Sequence, residues 1–398
     1  MIGKSQTKNK NGGSQKIWES ASSSGPDPIV TDYIIQRDLT ADKRLLSYDI
    51  RASKAHAQML AVQGLLEEKE VNHLCDALDQ AEADFYADKW SLEEQNEDLH
   101  TAIEIQLIKR CGELGKKIHL GRSRNDQVLT AMRLFIKDKM DTLLSETAKT
   151  ASVLLDFSET NTDTPMPGFT HMQYAMPSSV AQWSAAYVES LLADYRILES
   201  ARDVCNCNPL GSAAGFGTHL PIDREQTTER LGFAETQINP IVCQNSRGKF
   251  ESLVLNALSQ LMSTLGRFAN DMVLFTSQNF GFFSLPDKYT TGSSIMPQKR
   301  NYDIFEVMRA NFDLLLSLQM RCMTVGKNLI SGYNKDLKIT KMPVMQGFDI
   351  VLSTLNLLQT VVPDMIVHED KLVACFNDHT IFAADHANNL VMKEGMSF

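Results

Sequence analysis

Four short polar stretches interrupt this chain, and each carries residue types that can bind anions or move protons. The densest is TTGSSIMPQKRN, from Thr290 to Asn301. Its Gly292, Ser293 and Ser294 can turn successive backbone N–H groups toward one anion. Lys299 adds a point charge, Asn301 a neutral donor, and Glu306 follows about a turn into the next helical segment. The second is HLGRSRNDQV, from His119 to Val128, where Gly121 makes a turn and Arg122 and Arg124 follow. Ser123, Asn125 and Asp126 then sit where a long helix starts. Unpaired backbone N–H groups, the positive end of the helix dipole and guanidinium forks together suit a carboxylate. The third, PGFTHMQYAMP, puts Thr170 and His171 in a proline-bracketed segment that reads as irregular. In the fourth, NEDLHTAIE, Asp98 leads into a helix, either as its N-cap or as a ligand contact.

Each stretch has a plain structural reading: a surface turn, a capped helix with solvated arginines, a lone structural histidine, a polar linker. Together they hold more donors, cations and acid–base groups than those readings require. They match the needs of an elimination that releases fumarate from a succinyl group on nitrogen. A base must take a proton from the carbon beside a carboxylate, donors must hold the charge that builds on that carboxylate, and an acid must protonate the leaving nitrogen. Charge stabilisation is usually the largest of these effects. Serine is a poor base unless its alkoxide is stabilised, so Ser293 and Lys299 are more informative together than apart. His171, oriented by a carboxylate such as Glu306, can supply the acid.

The elements that must position these groups are helices. Apolar residues recur at helical spacing almost throughout. Long segments run from about 125 to 160, 177 to 204, 249 to 280, 303 to 325 and 337 to 361; the first would reach roughly 50 Å at 1.5 Å per residue. No comparable segment alternates with strand period. The expected fold is all-α: an elongated central bundle of long antiparallel helices flanked by smaller helical domains. The expected divisions are a disordered polar leader over 1–16, an N-terminal helical domain over 17–124, the bundle over 125–364, and the start of a C-terminal helical domain over 365–398 that stops short. The segment from Leu253 to Val273 is apolar on more than one face and must be covered on several sides, which suggests a homo-oligomer.

The chain has 398 residues, 43% hydrophobic and 22% charged, enough to bury a substantial core. A net charge of -10 argues against a nucleic-acid partner. The polar N-terminus lacks the apolar stretch of a signal peptide, and no apolar run is long enough to span a bilayer. Seven scattered cysteines, an odd number, fit a reducing cytoplasm better than a disulfide framework. Cys205 and Cys207 form a CxC without a second pair at metal spacing and read as structural.

The motif GSSIMPQKRN resembles the signature of the fumarase/aspartase superfamily, whose members cleave C–N or C–O bonds to release fumarate. HLGRSRNDQV, PGFTHMQYAMPSS, NPLGSAAGFG and TSQNFGF resemble the wording of one of its families, the argininosuccinate lyases. The resemblance runs from Ile17 to the last residue, with GRSRNDQ its most specific part. It implies Ser293 as base, His171 as the histidine of a proton relay and Glu306 as the residue that orients it. It implies substrate contacts at Lys299, Ser294, Asn301, Arg124, Asn125, Thr170 and Asp98, and contacts to the arginine-bearing half at Tyr333 and Lys341. A homotetramer with a twenty-helix core is implied, each active site built from three subunits, with argininosuccinate as substrate and no metal or organic cofactor. Three positions depart from the family pattern: Asp38 stands where serine is frequent, Lys338 replaces a frequent glutamine, and Tyr302 replaces the proline that usually follows Asn301. The first two belong to the expected substrate contacts. The alternatives are an adenylosuccinate lyase-like enzyme, which would need a phosphate cradle the sequence does not offer, and a crystallin-like structural protein on the same scaffold.

Overall fold

A computed structural model describes residues 29–30, 33, 39–92 and 98–397. Asp38 and the leader over 1–16 lie outside the described residues. Short helices open the described chain: α1 Leu39–Lys43, α2 Leu46–Val62, α3 Glu68–Tyr86 and α4 Leu99–Cys111. The 37-residue α5 Arg124–Thr160 follows, then a hairpin of β1 Pro165–Thr170 and β2 Gln173–Ser179, then α6 Val180–Cys205. After α7 Arg224–Leu231 and α8 Pro240–Asn245 come the remaining long helices, α9 Lys249–Phe275, α10 Asp303–Val325 and α11 Lys341–Val361. The helices α12 Glu369–Ala374 and α13 Ala383–Glu394 close the chain. The expected all-helical fold is therefore present, with only short two-stranded pairings among the described residues. No described helix is long and apolar enough to cross a membrane.

Capping explains where three of the long helices begin. Ser123 starts α5 with a capping box, its N–H donating to Asp126 Oδ1 at 2.9 Å. Ser179 caps α6 by accepting from the Gln182 N–H, which places that start three residues after Pro177. The Gly248 N–H donates to Glu251 at the head of α9. Gly347 lets α11 lie close on α9; a Cβ there would meet the Leu255 side chain at 2.6 Å.

Asp126 also ties the irregular segment after α6 to the head of α5. Its Oδ2 accepts from the Gly211 N–H at 3.0 Å and the Ala213 N–H at 2.9 Å. The carboxyl is fully buried, and burial raises its pKa to about 6 against these bonds. Because the folded-state value lies above the unfolded one, the folded protein binds this proton first as pH falls. This group therefore adds stability as pH drops from about 6 toward 4. Denaturant unfolding should show wild type gaining about 2 kcal/mol on Asp126→Asn between pH 7 and pH 4.5. A pH-independent difference would contradict the buried titration.

Two expectations change. The Thr170–His171 segment is not irregular: it forms the tip of the β1–β2 hairpin, with Thr170 paired to Gln173. The two turn residues, His171 and Met172, take φ of 52° and 63°, a geometry that glycine and asparagine favour. Prolines are tolerated because a two-stranded ladder has only edge strands. Likewise, the wide apolar band of α9 is covered within the chain, by α6, α10 and α11. Large exposed apolar side chains lie instead on α10, at Val307, Leu314, Leu316, Met320 and Met323.

Candidate functional site

A cavity of about 150 Å³ opens where the heads of α5, α9 and α11 meet the segment after α10. Six of the expected substrate contacts line it: Asp98, Arg124, Asn125, Tyr333, Lys338 and Lys341. Asp98 takes the structural role weighed for it. It caps α4, accepting from the Thr101 N–H at 2.9 Å, and its other oxygen meets Arg124 at 3.3 Å. Burial opposes its charge, but His100, Arg124 and the Thr101 bonds outweigh that and hold its pKa below the ordinary value. The two arginines of GRSR divide. Arg124 faces the cavity, whereas Arg122 turns back to Ser53 Oγ at 3.0 Å and the Ile118 carbonyl at 3.1 Å.

Other lining residues were not found from sequence. Asp42 forms a buried ion pair with Lys341 and accepts from the Leu99 N–H at 3.1 Å. Arg247 donates to the Asn125 carbonyl at 3.0 Å and lies over the Tyr333 ring, 4.9 Å from its centroid. Glu251 and His100 also line the cavity. Lys335, Lys338 and Lys341 recur every third residue along and just past the 3₁₀ helix Lys335–Thr340, which puts them on one face at three residues per turn. That spacing was a usable signal. Lining side chains include five Lys or Arg and three Asp or Glu, so a chain of net charge -10 keeps a net cationic cavity. An anionic ligand is favoured there.

The Asp42–Lys341 pair bears on stability as well as binding. Lys341→Met leaves a buried carboxylate without its cation and is expected to cost about 3–5 kcal/mol. Lys341→Met/Asp42→Asn removes both charges and should recover most of that loss in urea unfolding. A double variant no more stable than the single one would mean the pair is not the source of the loss.

The remaining expected residues lie elsewhere. Ser293, Ser294, Lys299 and Asn301 belong to the segment between α9 and α10, and Glu306 to the first turn of α10. A short pairing of Thr291–Gly292 with Arg300–Asn301, and a bond from Thr291 Oγ1 to Asp303, close this loop at its base. Tyr302 occupies the N-cap of α10 and packs against the core, so the departure there is accommodated. Inside the loop the Ser293 hydroxyl oxygen accepts from the Ile295 N–H at 3.3 Å and the Met296 N–H at 3.2 Å. These are donors of the kind that would stabilise an alkoxide. Thr170 and His171 are exposed at the hairpin tip. Phe169 anchors that hairpin on Phe275, Phe280 and Phe282, with ring centroids 5.9 to 6.4 Å apart.

The two groups occupy opposite ends of the bundle. The cavity holds Arg247 and Glu251 at the head of α9, while Phe169 packs on Phe275 at its tail, where the chain enters the serine loop. Twenty-seven residues of helix span about 40 Å at 1.5 Å each. One chain therefore gathers the cationic cavity and, at the far end, the serine loop and hairpin, without joining them. Among the described residues no group of three or more His, Cys, Asp or Glu is placed to hold a metal ion.

The family described as Lyase matches residues 32–312. An argininosuccinate lyase of Sorangium cellulosum is 40% identical over 97% of this chain and 88% of its own length. One from Thermotoga neapolitana is 38% identical over 97% and 96%, and one from Stenotrophomonas maltophilia 42% over 91% and 83%. Among solved structures, an EDDS lyase in complex with formate superposes with a TM-score of 0.81 at 21% identity, covering 94% of this chain and 74% of that one. The class II fumarase of Schistosoma mansoni gives 0.76 at 17%, covering 91% and 83%. The structures share the fold, the sequences a closer kinship over nearly the whole chain: this protein belongs to the lyase family and, within it, to the argininosuccinate lyases.

Proposed function

We propose that this protein cleaves the C–N bond of argininosuccinate by β-elimination, giving arginine and fumarate. The near-full-length kinship with argininosuccinate lyases carries this reading. Ser293 takes the proton beside the carboxylate, and the Ile295 and Met296 N–H groups and Lys299 favour its alkoxide. His171, oriented by Glu306, protonates the leaving nitrogen; its strained backbone at the hairpin tip supports a functional rather than structural role. Thr170, Ser294 and Asn301 hold the succinyl carboxylates, with Arg124, Asn125 and Asp98 contributing from the cavity. Tyr333, Lys338 and Lys341 hold the arginine-bearing half, and Asp38 is assigned to the same substrate.

Such a site requires more than one copy of the chain. The roughly 40 Å between cavity and serine loop supports sharing between subunits, and the exposed apolar residues of α10 supply a surface for it. The proposed assembly is a homotetramer with a twenty-helix core and three subunits at each site. The divisions 17–124, 125–364 and 365–398 are the proposed domains, and the cytoplasm the proposed compartment.

Purified protein mixed with argininosuccinate should release fumarate, followed by its ultraviolet absorbance, while adenylosuccinate and aspartate should release none. A folded oligomer of the chain that forms no fumarate from argininosuccinate would overturn the reading. A monomeric mass in light scattering would overturn the shared site.

A further inference from the structure

The elimination described above makes no use of His100 or Asp49. His100 stands in the first turn of α4, two residues past Asp98, and its side chain is 5% exposed. It lines the cavity. Behind it, Nδ1 forms an ion pair with the carboxylate of Asp49 on α2, which is 2% exposed and lines no part of the cavity. Asp49 is held in turn by Ser53 Oγ at 3.1 Å, and Ser53 Oγ accepts from Arg122 at 3.0 Å. The other ring nitrogen, Nε2, makes no hydrogen bond among the described residues.

We propose that His100 is a fixed imidazolium of the substrate site, gripped by Asp49 at Nδ1 and donating its Nε2–H into the cavity to a carboxylate of the bound substrate. Asp49 is the positioning residue of the pair. This rests on the lyase reading and adds a binding group to it.

The surroundings favour the charged ring. Burial works against the charge, but Asp49, Asp98 and Asp42 face the ring from α2, the α4 cap and α1. Together they outweigh burial and hold the imidazole pKa above its ordinary value. The Asp49 carboxyl is shifted the opposite way: burial would raise it, and His100 and Arg122 bring it below its ordinary value. Arg124 and Lys341 share the cavity but are engaged with Asp98 and Asp42. The Asp49 carboxylate accepts the Nδ1–H and fixes the orientation of the ring, and in the charged ring Nε2 carries a proton as well and meets the ligand as a donor. A charge-assisted donor aimed at a carboxylate inside a partly enclosed cavity is stronger than a neutral one.

The test compares wild type, His100→Gln and Asp49→Asn as full-length protein, using argininosuccinate as probe across pH 6 to 9. His100→Gln keeps a donor but loses the charge, and KM should rise about tenfold with a smaller change in kcat. Asp49→Asn should move the alkaline fall of kcat/KM to lower pH, because the ring loses the carboxylate that keeps it protonated. A purely structural pair would leave that profile in place. The histidine ring nitrogens of wild type, labelled with ¹⁵N and assigned against His100→Gln or His100→Asn, should give the shifts of an imidazolium at pH 7.5. Neutral-imidazole shifts there, or an Asp49→Asn profile that superimposes on wild type, would overturn the proposal. The nitrogen shifts decide it even if a variant is too unstable to assay. Absence of fumarate from wild type would instead count against the lyase reading itself.

Discussion

Ser293→Ala is expected to lower kcat at least about 10³-fold while leaving KM within a few-fold of wild type. The hydroxyl is the proposed acceptor of the substrate proton, and alanine leaves no group there that can take it. The donors that favour an alkoxide, the N–H groups of Ile295 and Met296, already point at this oxygen. An interaction made only as the proton moves affects kcat and kcat/KM together, whereas the cavity residues proposed to bind the ground state are untouched. Folding should be unaffected as well, because the loop is mostly exposed and contributes little to the core. Steady-state fumarate release, calorimetric binding of argininosuccinate and thermal unfolding would measure the three quantities. Turnover within tenfold of wild type would show that another group is the base. A loss of binding as large as the loss of turnover would make Ser293 a contact instead.

The long helices were legible because each carries a wide apolar stripe, and α5 and α6 also open on a serine cap, signals that need only neighbours in sequence. The hairpin was hidden by its composition. Its strands contain Pro165, Pro167 and Pro177, and its turn is His-Met where glycine or asparagine would announce a reversal. The role proposed for His171 at the tip would account for the missing turn residues, since local rules yield where a site needs a particular side chain. The α9 band was read correctly as a helix needing cover on several sides, but a stripe does not say which helix covers it.

In the site, the motif residues were legible because several polar groups fall within a few positions of one another. Asp42, Arg247 and Glu251 were not, because their meaning lies in distant partners. Asp42 meets Lys341 across 299 positions, and Arg247 meets the Asn125 carbonyl across 122. His100 was in view beside Asp98, yet a lone histidine carries little until Asp49 is seen behind it. Arg122 and Arg124, two residues apart, looked alike in sequence. Only the packing of α2 against the head of α5 separates the arginine that fixes structure from the one that faces the cavity.

Mixing two inactive variants should restore activity if cavity and loop come from different chains. Arg124→Ala damages the cavity and leaves the serine loop intact; Ser293→Ala does the reverse. Each homo-oligomer then contains only damaged sites. In a randomly mixed assembly, a site combining the cavity of one variant with the loop of the other is fully equipped in one arrangement of four. Unfolding and refolding an equimolar mixture should therefore recover up to about a quarter of wild-type turnover. The prediction follows from the span of α9, about 40 Å, which keeps Ser293 from the Arg124 of its own chain. Each variant refolded alone is the control and should stay inactive. A fully competent mixed site should also show the wild-type KM, since every residue in it is native. A refolded mixture of confirmed hetero-oligomers with no more activity than its parents would mean that cavity and loop are drawn from the same chain, and the bundle would have to rearrange on assembly to bring them together.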